Sequence, residues 1–295
     1  MEVAVIGLGN IGSGVAKNLL KYCHQVHVVD VDAQKVATAV SHGAMAATSS
    51  AEAVGDAEIV FTSLPGPADI ERVADEILPA MASGTIWADL STNDLDTFQT
   101  LRERAAKRGV VMIDAPVSGG PEGAAAGTLS VFVGADAKDF KRVKPRLFDI
   151  GDSVTHLGPP GAALIAKIAQ VTLCYTQTIT LIEAMLLGAK GGVDPKAMLD
   201  VIIGSAGTSY SAETYGPEIL AGTYDPSFPI SHAAKDLRLA MDLASQVGAD
   251  LPLTKAVAEL YAQTEAELGP NAAHCLAAHL VEKRNDFILN EETKA

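Results

Sequence analysis

The chain has 295 residues, 48 % of them apolar and 5 % aromatic, with a formal net charge of −14. That length exceeds one ordinary compact domain, so two domains are expected. The acidic balance and scarce aromatics exclude a basic arm for nucleic acid or anionic lipid and argue against base stacking. A small anionic substrate would therefore have to be held by local positive potential.

The first residues, MEVAVIG, enter a strand-like run at once, which leaves no room for a signal peptide. Cys23, Cys174 and Cys275 have neither paired nor metal-type spacing, so reduced thiols in a cytoplasmic protein are expected, with no bound metal. Short β-branched runs recur at 2–7 (EVAVIG), 25–30 (QVHVVD), 58–65 (EIVFTSLP), 85–92 (TIWADLST) and 110–117 (VVMIDAPV), separated by amphipathic stretches. This alternation predicts βαβ units and a doubly wound parallel sheet across residues 1–160, an α/β domain. In such sheets ligands gather at the carboxyl ends of the strands.

GLGNIG follows the first run directly. Gly7 permits a tight turn, Gly9 lets a pyrophosphate approach the backbone, and Gly12 lets helix and strand pack closely. With Asn10 and Ile11 they open a helix whose unpaired N–H groups and positive end suit a dinucleotide. Asp30 ends the next run, where a carboxylate accepts hydrogen bonds from ribose hydroxyls. Val31 and Asp32 come next, with no Arg or Lys to meet a 2′-phosphate, so NAD is favoured over NADP. Asp32 is expected to cap the following helix. Leu64 and Pro65 of SLPGP (63–67) and Thr92 of DLSTND (89–94) stand at strand ends where they can line a cofactor groove, although such residues also serve as plain turns and caps.

The glycine-rich stretch DAPVSGGPEGAAAGTLSVFVG (114–134) places Ser118, Gly119 and Gly120 at the same ligand edge. Its backbone N–H groups can surround a small anion, and a strand pair is expected from TLSVFVG. Trp87, inside a strand run, is expected in the core.

From Gly161 on, strand patterns vanish and apolar spacings of three and four predict an all-α second domain, 161–295. Its first helix, AALIAKIAQVTLCYTQTITLIEAMLLGAKGG, would run about 40 Å, long enough to leave the sheet domain and become the core of the next. Lys167, Gln170, Gln177, Glu183 and several threonines make it too polar for a membrane span. Lys167 stands isolated among Ala, Leu, Ile and Val. A lysine so placed loses hydration of its charged form, and its pKa falls towards a pH where proton transfer is efficient; the plainer alternative is a snorkelling surface lysine. His232 and His274 are read as surface or helix-packing residues, because no His/Cys/Asp cluster has metal spacing.

These motifs together resemble the β-hydroxyacid dehydrogenase family, relatives of 3-hydroxyisobutyrate dehydrogenase and tartronate semialdehyde reductase. The resemblance runs through VIGLGNIG, DAPVSGGPEGAAAGTLS, GPPGAALIAK and FPISHAAKDLRLAMDLASQVGADLPLT, nearly the whole chain. It implies an N-terminal Rossmann domain, a long interdomain helix, an all-helical C-terminal domain and an active site in the cleft between them. It further implies that Ser118, Gly119 and Gly120 grip the substrate carboxylate, that Lys167 is the general acid/base, that Thr92 borders the cofactor, and that Lys235 and Asp236 form a motif reaching the cofactor and active site. A homodimer or homotetramer is also implied.

Two departures stand out. Family members carry Asn-Asn three and four residues after the lysine, the second contacting substrate; here Gln170 and Val171 occupy those places. His274 replaces a common Asp. A small β-hydroxyacid or its semialdehyde is expected, with a bulkier or less polar substituent allowed. The alternatives are an imine reductase-like enzyme, which commonly lacks the lysine, and a non-catalytic dinucleotide-binding module.

Overall fold

The computed structural model describes residues 1–22 and 24–290, so Cys23 lies outside the described residues. The chain forms two units, Met1–Lys167 and a second that begins at Ile168.

In the first unit strands and helices alternate: β1 (Glu2–Ile6), α1 (Gly12–Lys21), β2 (Gln25–Val29), α2 (Ala33–Ser41), β3 (Met45–Ala46), α3 (Ser50–Val54), β4 (Ile59–Thr62), α4 (Pro67–Ile77), β5 (Ile86–Asp89) and α5 (Leu95–Ala106). There follow β6 (Val111–Asp114), β7 (Val117–Ser118), α6 (Gly120–Ala126), β8 (Leu129–Gly134), α7 (Ala137–Leu147) and β9 (Gly151–Gly158). The strand order is β3-β2-β1-β4-β5-β6-β8-β7, with β9 paired to β8. Strands from β3 to β6 are parallel, β8 runs antiparallel to β6 and β7, and β9 lies parallel to β8. The expected strand pair is thus a single strand, β8, serving as partner to three others.

The sheet is covered on both faces. One core gathers Val3, Val5, Leu19, Val28, Phe61, Ile113 and Leu129, and the other Ala4, Ile6, Val60, Ile70, Trp87, Phe98 and Leu101. Alternate residues of β1 therefore enter opposite cores, as its unbroken apolar run requires. Trp87 is fully buried, and its indole N–H donates to Thr62 Oγ1 at 2.9 Å. Asp32 caps α2 by accepting from the Gln34 N–H at 2.9 Å.

Helix α8 (Ala162–Lys190) begins in the first unit and continues into the second. The second unit adds α9 (Pro195–Ile203), α10 (Tyr210–Ala221), α11 (Ile230–Val247), α12 (Pro252–Leu268) and α13 (Ala277–Asn285). Its core is built from Val171, Tyr175, Ile182, Met185, Leu237, Tyr261 and their neighbours. Among the described helices, α8 alone is long and apolar enough to cross a membrane, yet the buried part of it feeds the cores of folded units: Leu164 in the first, Val171 and Ile182 in the second.

Candidate active site

The sheet reverses its winding between β1 and β4, which are neighbours although five elements, α1 to α3, lie between them in sequence. That is where an open parallel sheet leaves a crevice. The loop Gly7–Gly12 leaves β1 there. Gly7 has φ +90°, and a Cβ on it would lie 2.3 Å from the Ser63 carbonyl oxygen after β4. A Cβ on Gly12 would lie 1.9 Å from the Gly7 carbonyl oxygen. Gly9 differs, since a Cβ there would meet no protein atom within 4 Å. The protein needs Gly7 and Gly12 for its own packing, whereas Gly9 borders open space that a ligand can fill.

Helix α1 has Ile11 at its N-cap, where the apolar side chain makes no capping hydrogen bond, and no acidic residue in its first turn. Its positive end suits an anion. Asn10 is exposed beside it. Asp30, just past β2, accepts from the Leu8 N–H at 2.5 Å through Oδ2 and from the Asp32 N–H at 2.8 Å through Oδ1. It therefore ties the glycine loop to the end of β2. Val31 beside it is 93 % exposed. The loop, the helix N-terminus and the half-buried carboxylate fit a dinucleotide.

Across the switch point, the Leu64 N–H donates to Ser91 Oγ at 2.9 Å. Ser91 in turn bonds Asp89, whose Oδ1 also accepts from Thr62 Oγ1 at 2.9 Å and from the Ser91 N–H at 3.1 Å. Burial pushes the Asp89 carboxyl up to about 6, against the lowering effect of Ser91 and Thr62. This hub orders the loops that hold Leu64, Pro65 and Thr92, of which Pro65 is exposed and the other two half-buried.

The glycine-rich stretch after β6 follows the same plan. Ser118 is half-buried, Gly119 and Gly120 are exposed, and both glycines take positive φ, +124° and +62°. Helix α6, which they open, lies against α1. A Cβ on Gly14 would sit 2.5 Å from the Ala124 backbone, and Asn18 Nδ2 donates to the Ala124 carbonyl at 2.7 Å. The candidate dinucleotide helix and the candidate anion loop are thus joined through one close helix contact.

Lys167, the last residue of the first unit, is half-buried in the second turn of α8. The start of that helix is bonded to the end of β6, because both carboxylate oxygens of Asp114 accept from its N–H groups. Sequence reasoning missed this joint. Its only trace is an acid ahead of the glycine-rich stretch and a helix start with no capping side chain of its own.

Gln170, Val171 and Lys235 belong to the second unit. Val171 is buried in its core and Gln170 is exposed on the same helix. Lys235 is half-buried, with its ammonium 3.1 Å from Asp236 Oδ1, close enough for an ion pair though not aligned as a hydrogen bond. The other Asp236 oxygen accepts from the Tyr175 hydroxyl at 2.9 Å. His274 is buried against Tyr215 and Phe228, with ring centroids 4.7 and 5.2 Å away, and burial lowers its pKa to about 4. Among the described residues no group of His, Cys, Asp and Glu is arranged to hold a metal ion.

A switch-point glycine loop with a helix N-terminus behind it marks the first unit as a dinucleotide-binding domain. Residues 2–158 match the family model for the NAD binding domain of 6-phosphogluconate dehydrogenase, and residues 161–281 match that for NAD-binding of NADP-dependent 3-hydroxyisobutyrate dehydrogenase. A 3-hydroxyisobutyrate dehydrogenase of Pseudomonas aeruginosa is 35 % identical over 90 % of this chain and 94 % of its own length. The NAD-dependent L-serine dehydrogenase of the same organism is 34 % identical over 88 % of this chain and 91 % of its own length. The solved structure of Mycobacterium tuberculosis 3-hydroxyisobutyrate dehydrogenase with L-serine superposes with a TM-score of 0.87 at 31 % identity, covering 95 % of this chain and 98 % of that one. The chain belongs to the β-hydroxyacid dehydrogenase family.

Proposed function

We propose that this chain is an NAD-dependent dehydrogenase that interconverts a small β-hydroxyacid and its semialdehyde or keto form, with Lys167 as general acid/base. The observation that carries this is the convergence of three motifs in one unit: α1 behind the dinucleotide loop touches α6 behind the anion loop, and the end of β6 holds the start of the lysine-bearing helix.

The N–H groups of the loop Gly7–Gly12 and of the first turn of α1 would meet the pyrophosphate, and Asp30 the adenosine ribose. Leu64, Pro65 and Thr92 would line the groove beyond. Asp30 and Asp32 flank an exposed Val31 where a 2′-phosphate would need a cation, which supports NAD over NADP. The cofactor, when bound, supplies or accepts the hydride. The N–H groups around Ser118, Gly119 and Gly120 would grip the substrate carboxylate, a use that the positive φ of both glycines favours. In the oxidising direction the neutral Lys167 amine accepts the hydroxyl proton; in the reducing direction its ammonium protonates the forming alkoxide. The exposed face of α8, on which Leu173 is 58 % and Leu187 78 % exposed, supports a homo-oligomer in which a second copy covers it.

The test is oxidation of a panel of β-hydroxyacids, including 3-hydroxyisobutyrate and L-serine, with NAD and with NADP, followed by absorbance of the reduced nicotinamide. Turnover of at least one, with NAD preferred by about tenfold or more, is expected. No turnover of any panel member would reject the dehydrogenase in favour of a binding module.

A further inference from the structure

We infer that Asp114 is a positioning residue for Lys167, fixing the helix that carries the acid/base group to the segment that runs into the carboxylate-gripping loop. The inference rests on the role of Lys167 given above.

The start of α8 cannot cap itself. It is preceded by Gly158, Pro159, Pro160 and Gly161, none of which has a side-chain oxygen, so its first N–H groups need a partner from elsewhere. Asp114 supplies one. Its Oδ1 accepts from the Gly161 N–H at 2.7 Å, and its Oδ2 accepts from the Ala163 and Leu164 N–H groups, each at 2.9 Å. A carboxylate there also meets the positive end of a long helix. The fit is tight: a Cβ on Gly134, the residue opposite Asp114 on β8, would lie 2.3 Å from Oδ1.

Three bonds from one side chain fix the helix in both rotation and slip. Ala163 and Leu164 precede Lys167 by four and three residues, so they lie one turn below it on the same face. A slip of one residue would move Lys167 by about 1.5 Å. Asp114 also stands four residues before Ser118 on a single short segment. The same strand end therefore sets where the ammonium lies and where the substrate carboxylate is held. Misplacement by about 1 Å costs on the order of a hundredfold in rate, so the joint is part of the catalytic geometry.

The test is a double-mutant cycle. Asp114→Asn turns one acceptor into a donor facing helix N–H groups. It should lower kcat about a hundredfold while the cofactor Kd stays within about threefold. In the Lys167→Ala background the same change should cost less than about threefold, because a residue that acts through Lys167 has nothing left to position. Gly134→Ala keeps the carboxylate but displaces it and should show the same pattern, which covers the case of an Asp114→Asn protein that does not fold. Undiminished kcat in either variant, or an equal cost in both backgrounds, would overturn the inference. A Lys167→Ala enzyme with full kcat would overturn the acid/base role itself, a separate and recognisable failure.

Discussion

Asp89 and Asp114 of the first unit and Asp236 and His274 of the second are buried with different kinds of partner. In the first, Asp89 and Asp114 end neighbouring parallel strands, in register with each other, and their partners are hydroxyls and backbone N–H groups. In the second, Asp236 meets Tyr175 and Lys235, and His274 is sealed among aromatic rings. A carboxylate bonded to backbone joins one chain segment to another, so it sets where loops lie. A group bonded to side chains or packed in rings fastens helices together and leaves the loops alone. Hence Asp89 and Asp114 serve the placement of the candidate motifs that follow their strands.

The largest expected effect that sharpens this contrast comes from Gly12→Ala. Its methyl would collide with the backbone of Gly7, so a loss of 3 kcal/mol or more in first-unit stability is expected, on the order of the severe core and backbone class. Urea unfolding followed by the fluorescence of Trp87, the single tryptophan, reports on that unit. A variant as stable as the parent would refute the tight junction.

Acidification should separate the units next. The folded protein keeps His274 neutral down to about pH 4, while the unfolded chain takes a proton near pH 6.5. Second-unit stability should therefore fall by on the order of 3 kcal/mol as pH drops through that window. Asp89 acts in the reverse sense. Its carboxyl holds a proton up to about pH 6 in the folded protein but loses it near 3.8 when unfolded, so its contribution is full below 3.8 and is lost as pH rises to about 6. Hydrogen exchange in α11 and α12 should thus accelerate at pH 5 more than the Trp87 transition shifts. His274→Phe should flatten the former slope and Asp89→Asn the latter. Parallel shifts in both units, unchanged by either substitution, would break the comparison.

Smaller effects divide ligand from packing within the glycine loop. Gly9→Ala meets no protein atom, so unfolding should be unchanged while cofactor Kd rises about tenfold, because only the pyrophosphate needs that space. Val31→Arg should raise kcat/KM with NADP several-fold, on the scale of one exposed charge pair, with no change in stability. NADP turnover that stays unchanged would remove Asp30 and its neighbours from the control of cofactor choice.

Much of this was legible in the sequence because the chemistry demands unusual residues. Glycines at Gly7, Gly9 and Gly12, an acid at Asp30 and an isolated lysine at Lys167 stand out against any apolar background, and the cap by Asp32 is a local signal between residues two apart. What stayed hidden depends on contacts distant in sequence. Asp114 bonds N–H groups 47 to 50 residues further on, and no local pattern encodes that. Strand β9 escaped because Asp152, Ser153, Thr155, His156 and Leu157 are all exposed, so it lacks the alternation that marks a half-buried strand. Two-residue β3 is too short to show any period. Helix α6 escaped because the glycine-rich stretch disguised it as a loop. His274, read as surface or packing, is a packing residue, and its burial follows from aromatic neighbours spread over two helices and a loop.

Proton transfer by Lys167 is tested most directly by the steady-state kinetics of Lys167→Ala, measured beside a fluorescence titration of reduced cofactor. A fall in kcat of about a thousandfold, with cofactor Kd within about threefold of the parent, is the expected result. A variant that turns over substrate at the parental rate would contradict it.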